Sequence, residues 1–255
     1  MLVNVLASGS KGNASLIRTK KHNILIDAGM TAKYITNKLN ELNLELKDIH
    51  YIFLTHTHQD HVSALKTIVK KTKPKIVITE KMYDDLKFLE AYEHLVELED
   101  NFQIDNLLIE SMVMSHDTTD SRAYIITEDN LSVAIITDTG YINQKYFDKL
   151  KNKSIYIFES NHDVEMLMHG RYPKWVKRRV WSPEGHLSNC QASKYLKEII
   201  GPDTKLIALA HISQENNTPE IALENIRSHF AEHNIKFDNI ITTKQNEQVE
   251  LIIND

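Results

Sequence analysis

The chain has 255 residues, of which 42% are hydrophobic and 25% are charged, and these ordinary globular proportions exclude a wholly disordered chain. Seven glycines and five prolines are too few for a fibrous protein, and the single cysteine, Cys190, excludes an intramolecular disulfide and a zinc site built from cysteines. The net charge of −5 argues against non-specific nucleic-acid binding over the whole surface. The 13 histidines are the unusual count, because histidine is the commonest neutral metal ligand.

The N-terminal residues MLVNVLASGSKGN lack the cationic start and the long apolar core of a signal peptide. The longest apolar runs have the length of strands, so we expect no membrane-spanning helix. The sequence therefore predicts a cytoplasmic protein with no membrane partner.

Predicted strands and helices alternate along the chain, which is typical of an α/β protein. Apolar alternation and β-branched blocks predict strands at residues 2–7, 14–19, 23–28, 50–55, 74–79, 107–115, 122–127, 131–137, 154–160, 205–210, 239–243 and 248–253. Helical spacing of apolar residues predicts helices at residues 31–42, 61–70, 188–200 and 218–230. No repeat or linker marks a boundary, so we expect one domain over residues 1–255, with a loop or cap at about 161–190.

The clearest functional signal is the sequence THTHQDH at residues 55–61, which follows an apolar strand and precedes a helix. Loops at the carboxyl ends of strands are where α/β folds place their chemistry. His56 and His58 can face the same way from extended backbone and reach one metal. Asp60 and His61 lie further round the turn and can bind a second metal. The alternative is a group of polar residues on an exposed turn.

Three further candidates, His116, Asp138 and His211, each end a predicted strand. Alone, such a residue is usually a surface or hydrogen-bonded group. Together with the motif at residues 55–61, however, all three are expected to be metal ligands. We expect two metal sites bridged by Asp138, with His56, His58 and His116 at the first and Asp60, His61 and His211 at the second. Nitrogen and oxygen ligands without a thiolate suit two divalent transition metals such as Zn²⁺ or Mn²⁺.

The motifs LIDAG, THTHQDH, SHD, TDTG and AHIS, in this order, resemble those of the metallo-β-lactamase superfamily over nearly the whole chain. The resemblance implies an αβ/βα sandwich, in which two mixed β-sheets pack face to face with helices outside. The best-known lactamases have a cysteine where this chain has Asp138, and that departure favours the phosphodiesterase branch, whose two metals share an aspartate. Asp27 matches the family's buried aspartate that supports a metal ligand; the alternative is a carboxylate in a turn.

Residues 159–190 contain SNHD, ML, YP and GHLSN, and are similar to the YycJ-type (or WalJ-type) subgroup of that superfamily. The resemblance implies a metal-dependent nuclease similar to 5′-to-3′ exonucleases that act on double-stranded DNA. His186 is a candidate to protonate the leaving oxygen or to hold the scissile phosphate. His162 and Asp163 could do the same or pack as loop anchors, and Asp163 is expected mainly to support the site. Asp60 is expected to orient the attacking water as well as to bind metal.

A cluster of cations lies in the same segment, interleaved with Tyr172, Trp175 and Trp181. Phosphate contacts and stacking faces suit the end of a nucleic acid, with DNA favoured. The alternative is a solvated helix face with extended side chains. The expected substrate-binding residues are Arg171, Lys174, Lys177, Arg178 and Arg179.

The expected reaction is metal-assisted phosphodiester hydrolysis, and the sequence leaves several alternatives open. A small-substrate phosphodiesterase, for example for cyclic nucleotides, would use the same metals but a closed pocket. An RNA-processing nuclease of the same fold would carry a long tRNA-binding arm, which is not evident. A nuclease with an inserted domain of about 100 residues does not fit between Asp138 and His211. A non-catalytic module with one structural metal would need only four ligands. The oligomeric state is open.

Overall fold

The computed structural model describes residues 1–252, which form two seven-stranded sheets packed face to face. The strands of the first sheet, from edge to edge, are β14 (Val249–Leu251), β1 (Leu2–Ala7), β2 (Ala14–Arg18), β3 (Asn23–Ile26), β4 (Tyr51–Phe53), β5 (Lys75–Ile78) and β6 (Leu95–Glu97). Those of the second are β13 (Ile240–Thr242), β12 (Leu206–Ala210), β11 (Ile155–Glu159), β10 (Leu131–Ile136), β9 (Arg122–Glu128), β8 (Leu107–Val113) and β7 (Asn101–Ile104).

Helices cover the outer faces of both sheets. The α-helices are α1 (Ala32–Glu41), α2 (Gln59–Val62), α3 (Leu65–Lys71), α4 (Glu80–Asp85), α5 (Phe147–Leu150), α6 (Val164–His169), α7 (Lys174–Trp181), α8 (Asn189–Ile199) and α9 (Pro219–Glu232). Short 3₁₀ helices lie at Leu46–Asp48, Lys87–Leu89 and Gln144–Tyr146. Helices α1, α3 and α4 pack on the first sheet, and α5, α8 and α9 pack on the second. Within residues 1–252, no helix combines the length and the apolar character needed to cross a membrane.

The alternation of side chains along each strand creates the layers. Ile24 and Ile26 of β3 face the second sheet, whereas Leu25 between them packs under the helices of the first. In β10, Val133 faces the first sheet while Ala134 packs under α8 and α9. The central strands are therefore buried on both faces, and the predicted αβ/βα sandwich is confirmed.

Strand direction determines where the predicted site lies. Strands β3 to β6 run parallel to one another, as do β10 to β13, and β8 runs parallel to β10 because β9 is antiparallel to both. Parallel strands end at the same edge of a sheet. The segments after β4, β8, β10 and β12, which carry the candidate ligands, consequently meet at one edge of the sandwich.

All twelve predicted strands are present, although the last residue of the predicted strand at 248–253 lies outside the described residues. Strands β6 and β7 were not predicted, because each has at most four residues and several of these are charged or exposed. The predicted helix at 61–70 is two helices, α2 and α3, interrupted at Ser63 and Ala64. The segment 161–190 is more regular than its composition indicates, since it contains α6 and α7.

Candidate metal centre

The candidate ligands meet where the two sheets end. The ligand nitrogens of His56, His58 and His116 lie within 4.8 Å of one another, close enough to share one cation. In the second group, His61 Nε2 lies 3.2 Å from Asp138 Oδ2. These residues come from three separate loops, so the sheet topology assembles the group that the motifs predict.

Asp138 lies between the two groups. Its Oδ1 is 3.0 Å from His211 Nδ1 and 3.9 Å from His116 Nε2. On the other side, His61 Nε2 is 3.5 Å from Asp60 Oδ2. The carboxylate therefore lies beside ligands of both groups, with Oδ1 near His116 and His211 and Oδ2 near His61, and this position suits a bridging ligand.

Asp27 holds the ring of His61. Its Oδ2 accepts a hydrogen bond from His61 Nδ1 at 2.8 Å, and its two oxygens accept from the backbone N–H and the hydroxyl of Thr55 at 2.7 and 2.8 Å. A carboxylate only accepts, so Nδ1 of His61 carries the proton and Nε2 is the nitrogen left for a metal.

Backbone carbonyls orient two more histidines in the same way. His58 Nε2 donates to the carbonyl of Asp117 at 3.2 Å, which leaves Nδ1 free. His116 Nδ1 donates to the carbonyls of Glu184 and Gly185 at 3.1 and 3.2 Å, which leaves Nε2 free. These contacts determine which nitrogen of each ring can bind a metal.

Three buried atoms at the centre have no hydrogen-bond partner among residues 1–252, namely His56 Nε2, Asp138 Oδ2 and His211 Nε2. A buried polar group without a partner costs about 1–3 kcal/mol, so such atoms are rare. A divalent cation would satisfy all of them, and it would separate the lone pair of His61 from the carboxylate that faces it. The donor set therefore fits divalent metal ions with nitrogen and oxygen preferences.

The charges of the centre interact strongly. Burial lowers the pKa of His56 well below its ordinary value. Burial also acts to lower the pKa of His211, but the carboxylates of Asp138 and Glu159 outweigh it and raise that pKa to about 10. Burial disfavours the charged form of Asp138, yet His211 and His61 hold its pKa well below the usual range. Because a metal must displace protons from these rings, we expect metal affinity to rise with pH.

Three residues of the centre have backbones in the left-handed region: Asp27 at φ 65°, Asp138 at φ 58° and His211 at φ 53°. Residues with a Cβ rarely adopt this conformation, although Asp, Asn and His do so more often than others. It costs on the order of 1–3 kcal/mol per residue and is concentrated at functional sites. Each of these residues leaves its strand at a sharp turn that directs its side chain into the centre.

Gly29 lets the LIDAG loop lie directly against the loop of residues 55–61. A Cβ at this position would come within 1.9 Å of the carbonyl oxygen of Asp60 and 2.4 Å of the backbone nitrogen of Asn13. The neighbouring Ala28 N–H donates to the carbonyl of His61 at 2.8 Å. Only glycine permits this close approach between the two loops. The resulting contacts fix the backbone positions of the candidate ligands Asp60 and His61.

The motifs do not identify Glu159, which the structure places at the centre. It is fully buried at the end of β11, and its Oε1 lies 2.7 Å from His186 Nδ1 and 3.3 Å from His211 Nδ1. Its Oε2 accepts from the backbone N–H of Thr139 at 2.9 Å. Glu159 could approach a metal together with Asp138, but both of its oxygens already have partners, so orienting the two rings is the role that its contacts favour.

The two other polar residues predicted beside His186 lie apart from the cavity. His162 is 2% exposed, and its backbone carbonyl accepts from the N–H of Asn189 at 2.9 Å. Asp163 caps helix α6, where its Oδ1 accepts from the N–H of Met166 at 2.9 Å. The contacts of both residues are those of loop anchors.

The predicted cationic residues lie on and before α7. Arg179 forms a two-bond ion pair with Asp117, and Lys177 Nζ donates to the carbonyl of Met168 at 2.7 Å. Arg171, Lys174 and Arg178 are exposed and form no ion pair within residues 1–252. The structure therefore divides the cationic cluster between paired and free groups.

A cavity of about 230 Å³ opens beside the candidate ligands. Its lining includes the candidate ligands His58 and Asp60 together with Tyr172, Arg179 and His186 of the segment 161–190. This segment therefore forms part of the wall of the cavity beside the candidate ligands.

The sequence model of the metallo-β-lactamase superfamily matches residues 7–211, a span that includes every candidate ligand. This chain belongs to the metallo-β-lactamase superfamily. The predicted family is therefore confirmed. The family is dependent on divalent metals, in agreement with the histidine and carboxylate groups described above.

Two curated relatives cover most of the chain. Exodeoxyribonuclease YycJ of Bacillus anthracis is 35% identical over 230 residues, which span 86% of this chain and 85% of that protein. Exodeoxyribonuclease WalJ of Streptococcus pneumoniae serotype 2 is 34% identical over 226 residues, which span 86% and 84%. The metallo-β-lactamase fold protein YhfI from Bacillus subtilis has a TM-score of 0.74 at 15% identity, covering 98% of this chain and 100% of that one, which supports the fold alone. The predicted hydrolase and its exonuclease subgroup agree with these relatives.

His162 should contribute to loss of stability in acid. Burial lowers its pKa to about 4, whereas a histidine in the unfolded chain titrates near 6.5. Between these values the unfolded state binds the proton and the folded state does not, so stability is retained above pH 6.5 and falls as the pH is lowered toward 4. The variant His162→Gln should lose less unfolding free energy than the parent between pH 7 and pH 4.5, measured by denaturant unfolding with chelator present. His169→Gln, whose side chain is 80% exposed, should behave as the parent; equal acid sensitivity of all three proteins would contradict the assignment.

Proposed function

We propose that the chain is a two-metal exodeoxyribonuclease, which hydrolyses phosphodiester bonds at an end of DNA, with double-stranded DNA and 5′-to-3′ polarity favoured. The observation that carries the substrate class is the similarity to two proteins named exodeoxyribonuclease over 86% of the chain. We also infer that residues 1–255 form one domain, with residues 161–190 as a cap. A DNA substrate is compatible with the expected cytoplasmic location.

The candidate ligands would hold two divalent cations, Zn²⁺ or Mn²⁺. The first would be held by His56, His58 and His116, the second by Asp60, His61 and His211, and Asp138 would serve both. Such cations lower the pKa of coordinated water and offset the charge that develops on a phosphate during hydrolysis. Support for this assignment comes from the unpartnered atoms of His56, Asp138 and His211.

The protein's own groups would orient the reactants. The Asp60 side chain is 25% exposed, lines the cavity and lies 3.3 Å from the Asn13 amide, so it can direct a hydrogen bond to an attacking water. His186 also lines the cavity, and Glu159 accepts its Nδ1 proton at 2.7 Å, which leaves Nε2 to donate to the departing deoxyribose oxygen. The contacts of His162 and Asp163 favour anchoring of the cap over proton transfer.

A small-substrate phosphodiesterase is the second candidate, because the candidate ligands line a concave cavity rather than an open groove. The cavity volume of about 230 Å³ lies below the range of about 300–1,000 Å³ in which small molecules are usually enclosed, so such a substrate would have to be small. An exonuclease needs to admit only a terminal nucleotide, so the same volume is compatible with the first proposal. The two proposals differ in whether the cationic residues outside the cavity contribute to substrate binding.

The experiment that separates them uses the triple variant of Lys174, Lys177 and Arg178 to alanine. If these cations bind DNA phosphates, binding of duplex DNA should weaken, and the slope of log K against log salt should become shallower by about 0.9 for each phosphate that is no longer neutralised. Hydrolysis of bis-p-nitrophenyl phosphate should change little, because the residues of the metal centre are retained. The measurements are salt titrations of DNA binding with chelator present, and turnover of both substrates with Mn²⁺.

The matched control replaces Lys70, Lys71 and Lys73 with alanine. These lysines are exposed at the end of α3 or just beyond it, and their replacement removes the same number of positive charges. This control should keep the parental salt slope. An unchanged slope in the α7 variant with intact DNA cleavage would defeat the assigned DNA contacts. Parallel loss of both hydrolytic activities would favour the small-substrate proposal. Digestion of end-labelled single- and double-stranded DNA and RNA would then define substrate and polarity from the product lengths.

A further inference from the structure

We infer that helix α7 separates the two strands of a DNA end, with the strand to be cleaved entering the cavity on one face and the uncleaved strand lying along the opposite face. This inference rests on the proposed function. The outer side of α7 carries a second groove, which the hydrolytic chemistry does not require. The inference assigns a role to this groove.

The two faces of α7 are lined by different residues. Val176, Arg179 and Val180 line the cavity over the metal centre. The outer groove, with a volume of about 510 Å³, is lined by four other residues of α7, by the residue that follows the helix and by one residue of α6: Lys174, Lys177, Arg178, Trp181, Ser182 and Met168. Residues at a spacing of three or four share one face of a helix, so these two sets lie on opposite sides.

The outer groove combines exposed apolar surface with cations. Trp181 is 51% exposed and Met168 is 40% exposed, whereas large apolar side chains are usually covered. Lys174 and Arg178 form no ion pair within the described residues, although the chain has a net charge of −5. An aromatic face between free cations matches a single nucleic-acid strand, which offers both bases for stacking and phosphates for ion pairing.

The volume of the cavity favours separation of the strands. At about 230 Å³ it lies below the range of about 300–1,000 Å³ that is usual for small-molecule pockets, so a terminal nucleotide could enter but a base pair would not be enclosed. Enzymes that act inside such pockets must first unstack or unpair the nucleotide. The complementary strand then needs a path outside the cavity, and the outer groove begins on the same helix that forms the wall.

The C-terminal end of α7 is anchored beside the candidate ligands. Arg179 binds Asp117 through two hydrogen bonds, and Asp117 directly follows the candidate ligand His116. His186 N–H also donates to the carbonyl of Val180 at 2.9 Å. Two neighbouring residues on the cavity face of α7 therefore set the position of the helix relative to the candidate metal centre.

The experiment compares Trp181→Ala with Trp175→Ala, since Trp175 is 70% exposed on the same helix but lines neither cavity. Each protein digests a blunt duplex and a duplex whose last nucleotides are mismatched and already unpaired. Loss of one stacked base should lower kcat/KM on the blunt duplex about tenfold in Trp181→Ala. The mismatched end should restore the rate to within about twofold of the parent. Trp175→Ala should match the parent on both ends, and Trp181→Phe should retain most of the activity.

A second measurement identifies the strand. 5-Bromouracil is placed near the end in either the cleaved or the uncleaved strand, and the complex is irradiated with chelator present to prevent digestion. Crosslinking to Trp181 from the uncleaved strand is the expected result. Crosslinking from the cleaved strand alone, equal losses on blunt and mismatched ends, or equal effects of both tryptophan variants would overturn the inference. Failure of the parent protein to digest either DNA would instead contradict the proposed function.

Discussion

Replacing Asp138 with asparagine is expected to reduce hydrolysis at least a hundredfold, on the order of the loss that follows damage to a catalytic metal site. Asp138 is 2% exposed and lies against both groups of candidate ligands, and its Oδ2 has no hydrogen-bond partner within residues 1–252. Asparagine has a similar shape but removes the negative charge and one oxygen, so a cation on either side loses its strongest attraction.

Metal content gives a readout that is independent of activity. Elemental analysis after saturation with Mn²⁺ or Zn²⁺ should find about two ions per chain in the parent and fewer in Asp138→Asn. Asp148→Asn is the matched control, because the side chain of Asp148 is 94% exposed in α5, away from the centre. Circular dichroism verifies that both variants fold. Near-normal turnover and metal content in Asp138→Asn would show that this residue does not bridge two metals.

His186→Gln should reduce DNA hydrolysis by about 10²- to 10⁴-fold, the usual contribution of a positioned general acid. The same variant should hydrolyse bis-p-nitrophenyl phosphate at close to the parental rate, because nitrophenolate leaves without needing a proton. Glu159→Gln should show the same substrate dependence with a smaller loss, since it keeps the ring of His186 but weakens the 2.7 Å contact that orients it.

The comparison of the two substrates makes the role of His186 testable. Equal losses on both would indicate that the ring holds the metal centre or the phosphate together, and would contradict proton donation. His169→Gln is the control, because its side chain is 80% exposed at the end of α6. It should leave both reactions unchanged.

The strand-end histidines could be predicted because a single rule covers them. In a sandwich of parallel strands, polar residues that directly follow an apolar run converge at one edge, and the motif of residues 55–61 together with His116, Asp138 and His211 follows that rule. Glu159 follows it too, as the last residue of β11, but it was not identified because a lone glutamate after an apolar run is common.

The side-chain environment of residues in the segment 161–190 could not be predicted. His162 also follows a strand, yet it is buried and does not line the cavity, and Asp163 caps a helix that the sequence pattern does not reveal. The cationic residues form one cluster in the sequence but lie on two faces of α7; no helix was expected over this segment, so its cations could not be divided between faces beforehand.

The left-handed backbone at Asp138 limits how members of this superfamily can be converted into one another. The position has φ 58°, a conformation that aspartate and asparagine tolerate better than most residues. A cysteine placed here would therefore meet a backbone penalty of about 1–2 kcal/mol before any change in metal preference is considered. Exchange of this one ligand would alter the conformational energy of the loop and the chemistry of the site together, so the turn after β10 and the ligand are coupled in any change of metal chemistry.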